Sequence, residues 1–106
     1  MSTKNVNADA LHFLEGLTGE KLSLSNLILT LRECEEVSQA AFAAKLGITR
    51  QRLCDIEHGR SRVSPKLAAL FARKLGYSES QFVRLSLQDI LERDKLHYKI
   101  ELQHAA

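Results

Sequence analysis

The chain has no tryptophan, one proline and two cysteines among its 106 residues, and it holds no apolar run long enough to cross a bilayer. Cys34 and Cys54 are too few and too widely spaced for a disulfide framework, so they read as reduced thiols of a cytosolic protein. A redox role stays open for Cys54, because it falls on the helix singled out below. The first ten residues, MSTKNVNADA, lack the apolar stretch of a secretory leader, and a cytoplasmic location with no membrane partner is expected. Motifs of chemistry are missing as well: there is no HExxH, no CxxC, no glycine-rich phosphate loop and no nucleophile elbow. His12, His58, His97 and His104 fall at no recognised metal spacing, which leaves a zinc site built from Cys34, Cys54 and one histidine as the alternative. Neither a metal nor a cofactor is expected.

What is present suits one globular domain, with 44% hydrophobic residues. The net charge of +2 says little as a total, but it is unevenly spread. Residues 49–74 carry seven basic against two acidic side chains, a net +5, while residues 1–48 carry −2 and residues 75–106 carry −1. A basic stretch between acidic flanks suits a polyanionic partner; the plain alternative is a solvated, charged surface. Asp55 and Glu57, the acidic residues inside that stretch, are two apart and do not face each other on a helix. They cannot readily share a substrate, and an enzyme is not expected.

Cap and turn signals divide the chain. Residues 9–15 suit a short helix capped by Asp9 and ended by the GLTG stretch. Leu24, Leu27, Ile28 and Leu31 share one face of a helix that starts at Ser23 or Ser25 and runs to Glu35; the alternation in KLSLS also allows a brief strand before it. Ser38 caps an alanine-rich helix, with Val37 and Phe42 as a staple, Ala41, Phe42 and Leu46 inward, and Gly47 at its end. Thr49 caps the next, Arg50–His58, with Leu53 and Ile56 inward and Gly59 after it. Ser64 caps a fourth helix with Pro65 in its first turn and a stripe of Leu67, Leu70, Phe71 and Leu75 ending at Gly76. Ser78 caps a fifth, Glu79–Arg93, whose apolar surface exceeds one face. The alternation in LHYKIEL, residues 96–102, predicts a half-buried strand. Its partner must be an N-terminal extended segment or the same strand of a second copy. The fold class read from the sequence is all-α, with five helices and a C-terminal β-strand that pairs in a dimer. Residues 1–20 form an extension, 21–94 the domain and 95–106 the strand and tail.

The unit SQAAFAAKLGITRQRLCDIEHG, residues 38–59, joins two helices through a turn short enough to force a steep crossing. The first turn of the second helix is left exposed, and a helix of that width fits the DNA major groove. In Ser38-Gln39, Phe42-Ala43, Leu46-Gly47-Ile48-Thr49, Leu53, Ile56-Glu57 and Gly59 the chain resembles the Xre-type helix-turn-helix proteins, which include phage Cro and lambda-type repressors. The resemblance covers roughly residues 24–75 and implies a five-helix lambda-repressor-like domain. It further implies a transcriptional regulator, a repressor rather than an activator, that binds double-stranded DNA as a homodimer on a near-palindromic operator.

The resemblance implies roles for residues. Gln39 meets a phosphate or helps cap its own helix, Arg50 and Gln51 read bases, Arg60 and Arg62 meet phosphates, and Glu57 pairs with a basic residue of the first helix, for which Arg32 is the candidate. Local chemistry agrees for the readers, since arginine can donate two hydrogen bonds to guanine and glutamine can pair with adenine. Asp55, four residues after Gln51, either accepts from cytosine or orients Arg50 or Arg52. Arg52 and Lys66 are placed beside the phosphate backbone, Gly47 and Gly59 at helix ends. His58 stands where asparagine is common in the family. The stretch GRSRVSP resembles HigA-like antitoxins, which implies a toxin partner as the alternative; a protein-interaction module on the same scaffold is the other.

Overall fold

Five hydroxyl side chains start five helices. Residues 23–105 are described by the structure, a computed structural model. Its helices are α1 (Leu24–Cys34), α2 (Gln39–Leu46), α3 (Arg50–Glu57), α4 (Pro65–Leu75) and α5 (Glu79–Arg93). Ser23, Ser38, Thr49, Ser64 and Ser78 each sit in extended backbone and accept the amide hydrogen of the third residue on. Each satisfies one of the donors that a helix start leaves unpaired. Asp89 of α5 adds a second acceptor at the start of α1, taking the Leu24 amide hydrogen at 3.1 Å. Burial pushes its carboxyl above the ordinary range, against the pull of that hydrogen bond and of Arg93. The expected helix over residues 9–15 and the extension over 1–20 lie outside the described residues.

The helices also end alike. Gly47, Gly59 and Gly76 take positive φ of 77°, 73° and 79°. Glu36 and Lys95 do the same, at 56° and 58°, without being glycine. After each of the five, the next amide reaches back five residues to a helix carbonyl: Val37 to Arg32, Ile48 to Ala43, Arg60 to Asp55, Tyr77 to Ala72 and Leu96 to Leu91. α3 is therefore shorter than expected, ending at Glu57 with His58 as its cap. His58 Nδ1 lies 2.8 Å from the Cys54 carbonyl.

The core gathers Leu24, Leu27, Ile28 and Leu31 of α1, Phe42, Ala43 and Leu46 of α2, Leu53 and Ile56 of α3, Ala68, Phe71, Ala72 and Leu75 of α4, and Phe82 and Leu85 of α5. Ala41 is exposed and Ala43 takes its expected place. With Phe42 and Leu46 fixed inward, the neighbour on their side of the helix is Ala43; Ala41 is about 100° to the other side. α4 buries Ala68 and Ala72 as deeply as Phe71, leaving Leu67 and Leu70 half-buried at the margins. Small side chains there let the helices approach closely, so the stripe runs through Ala68 and Ala72 rather than through the leucines. Tyr77 stacks on Phe82 with ring centroids 6.1 Å apart, fastening the α4–α5 turn.

The expected C-terminal strand is not formed within one copy. Among the described residues there is no strand, and 96–105 lie in no ladder. Lys95 instead turns the chain back, and buried Gln88 of α5 engages the tail through its side-chain amide. A ladder needs a second backbone, and within one copy none of the described segments supplies it.

Candidate nucleic-acid interface

The turn between α2 and α3 is fixed from both sides. Gly47 holds the left-handed conformation that a β-carbon disfavours. Lys74 of α4 donates to the Leu46 carbonyl at 3.1 Å, so a cation sits on the negative end of α2. An added β-carbon at Gly47 would meet that Lys74 Nζ at 2.5 Å. Ile48 packs half-buried on the core. Leu53 and Ile56 then anchor α3 on one face, and Arg50, Gln51 and Arg52, in its first turn, stand exposed.

Behind α3 lies a polar hub. Glu57 is buried, and its carboxylate accepts Arg32 Nε at 2.7 Å and Arg32 Nη2 at 3.2 Å. Gln39 Nε2 donates to the same carboxylate at 2.9 Å, and Arg32 Nη1 reaches the Val37 carbonyl at 3.2 Å. The hydrogen bond to Glu57 raises the Arg32 pKa above its ordinary value. A forked guanidinium meeting a carboxylate with two bonds fixes orientation as well as distance. α1, α2, α3 and the turn between the first two are thus tied at one buried point. Gln39, expected at a phosphate, is drawn into this hub by one of its amide hydrogens; it does not cap its own helix, a task Ser38 performs.

A second network lies on the outer side of α3. Asp55 Oδ1 accepts Gln51 Nε2 at 3.2 Å and Arg60 Nε at 3.1 Å, with Arg60 Nη2 at 3.0 Å. The partners of Asp55 are therefore Gln51 and Arg60, not the expected Arg50 or Arg52. The bond to Asp55 raises the Arg60 pKa. Arg60 also reaches Cys54 Sγ at 3.7 Å, and His58 Nδ1 lies 3.6 Å from that sulfur.

Arg50, Arg52, Arg62 and Lys66 are exposed, and among the described residues they make no side-chain hydrogen bond or ion pair. Three of the four lie in first turns of helices, Arg50 and Arg52 on α3 and Lys66 on α4, and neither first turn holds an acidic residue. A cation there opposes the positive end of the helix dipole in the free protein. An anion placed against the same amides would turn both charges to advantage. Exposed cations at two helix starts, without acidic neighbours in those turns, suit a polyanion.

Lys74 is the residue that sequence reasoning missed: its place between α4 and the end of α2 follows from tertiary packing, and its only signal was a cation in the last turn of a helix. Among the described residues no helix is long and apolar enough to cross a membrane. No match was found among curated proteins or among solved structures. A family model of helix-turn-helix proteins does match, over residues 28–82, a span that holds α2, the Gly47 turn, α3 and most of α1. That is more than half of the chain, and its two crossing helices and exposed first turn are in place: the chain belongs to the Xre-type, lambda-repressor-like helix-turn-helix family of DNA-binding transcription regulators.

Proposed function

We propose that the protein is a cytoplasmic, sequence-specific repressor without catalytic activity of its own, which binds a near-palindromic operator as a homodimer. The observation that carries the reading is the first turn of α3, anchored from beneath by Leu53 and Ile56 and presenting Arg50 and Gln51 to solvent. Arg50 is assigned to guanine and Gln51 to adenine, the bases whose major-groove edges match their hydrogen-bonding groups. Asp55 is assigned to orienting Gln51: it takes one amide hydrogen and leaves the other, with the amide oxygen, for the base. Arg52, Arg62 and Lys66 meet phosphates. Arg60 joins them at little cost, because its pair with Asp55 is largely exposed and such pairs are weak. Gln39 keeps a second amide hydrogen for a phosphate while the first holds Glu57. Binding near a promoter excludes polymerase, which is the basis for repression.

Selection of binding sites from random duplex DNA tests this directly. The expected product is a motif of two inverted half-sites about 34–36 Å apart centre to centre. An enriched pool with no shared sequence would overturn the specific part of the reading.

A further inference from the structure

We infer that residues 97–103 pair with the same segment of a second copy as an antiparallel ribbon, in the register that sets Lys99 opposite Glu101 of the partner subunit. The inference rests on the homodimer reading above and supplies its joint.

The tail leaves α5 through Lys95, at φ 58°, and then runs from residue 96 to residue 105 without turn or bend. Gln88, only 3% exposed, donates to the Tyr98 carbonyl at 2.7 Å and accepts from the Ile100 amide at 2.9 Å. Taking a carbonyl and the amide two residues on is what one residue of a neighbouring parallel strand does. One edge of the segment is thus already covered by α5. In an extended chain the polar groups of successive residues leave from opposite edges. The backbone groups of His97, Lys99 and Glu101 therefore leave from the other edge, where none of them has a partner among the described residues. Unpaired edges of this kind are templates for a further strand. The apolar side chains point to the same conclusion. Among the described residues, the large hydrophobics left exposed are Ile90, Leu96, Tyr98 and Leu102, all on α5 or the tail, with Tyr98 at 67%.

Charge selects the occupant and the register. In a two-fold antiparallel ribbon joined through the free edge, odd-numbered residues face odd-numbered residues. Centring the two-fold on Lys99 would set lysine against lysine, and centring it on Glu101 would set glutamate against glutamate; like charges directly opposite are destabilising. Centring it on Tyr98 sets Lys99 against a histidine. Centring it on Ile100 sets Lys99 against Glu101 twice, once on each side of the axis. The same register places Tyr98 against Leu102 and Ile100 against itself, so one face is apolar and the other ion-paired. The segment is complementary to its own reverse, which suits a second copy of this chain.

Sedimentation of the full chain and its charge variants tests the register. Wild type should dimerise at high micromolar concentration. Lys99→Glu and Glu101→Lys should each weaken the dimer by about tenfold or more, and the double reversal should restore it. A wild-type monomer overturns the inference, as does a dimer indifferent to both single reversals, or a double variant that stays as weak as the singles. Binding of the Lys99→Glu variant to a single half-site duplex separates this from the DNA reading. If half-site binding persists while wild type itself sediments as a monomer, only the ribbon has failed.

Discussion

Glu57 of α3 and Arg32 of α1 meet through two hydrogen bonds, of 2.7 and 3.2 Å, beneath the helix that faces solvent with Arg50 and Gln51. The pair ties α3 to α1. Removing one partner of a buried pair leaves an uncompensated charge, which generally costs about 3–5 kcal/mol. Arg32 keeps some solvent contact, so Glu57→Ala should cost nearer the lower end. Urea denaturation measures it. A change under about 0.5 kcal/mol would show that the hub does not hold the helices together.

Gly47→Val should destabilise the fold rather than the DNA contact. The substitution puts a β-branched residue at φ 77° and drives its β-carbon against Lys74 Nζ. Thermal melting should show a loss of more than about 1 kcal/mol. Lys74→Ala in the Gly47→Val background should recover part of that loss, because the steric component goes with the amine.

Glu36→Gly should do the opposite. Glu36 ends α1 in the left-handed region, a conformation that strains a residue with a β-carbon by roughly 1–2 kcal/mol. Glycine relieves the strain but has more freedom to lose on folding, so the net gain expected is under about 1 kcal/mol. A lower melting temperature would contradict the strain argument.

Alkali should weaken the protein in a defined window. Burial, helped by the hydrogen bond to Glu35, pushes the Tyr77 hydroxyl from its ordinary value near 10 up to about 12. The folded state holds this proton more tightly than the unfolded state does. The stabilisation is fully present below pH 10 and is lost as the pH rises towards 12. Unfolding free energy measured against pH should fall across that range in wild type and fall less in Tyr77→Phe. Identical profiles would remove Tyr77 from the account.

Much of this was legible in the sequence because caps and glycines are local. A serine or threonine before an apolar period marks a helix start; four of the five starts were placed at one residue, and the first was left between Ser23 and Ser25. The ends at Glu36 and Lys95 carried no such mark, since left-handed conformation without glycine is imposed by the chain on either side. Ala43 and the Ala68–Ala72 stripe were misjudged because close helix approach, not residue size, decides which face is buried. The exposed first turn of α3 was readable from Thr49 and from the spacing of Leu53 and Ile56. The links from Gln39 to Glu57 and from Arg60 to Asp55 were not, because they depend on where loops return. The tail's alternation was real, but within one copy only one of its edges is answered, by the side chain of Gln88.

The phosphate side of the account predicts a different signature from the base side. Arg62→Ala should weaken matched and mismatched DNA alike and lower the slope of log affinity against log salt by about one. A loss confined to the matched site would move Arg62 among the base readers.

The most direct measurement is the affinity of wild type and of Arg50→Ala, Gln51→Ala for the selected operator and for a scrambled duplex at one salt concentration. The account predicts that wild type prefers the operator, that each replacement costs roughly 1–3 kcal/mol on it, and that affinity for the scrambled duplex barely changes. Equal affinity of wild type for both duplexes, unaltered by either replacement, would contradict it.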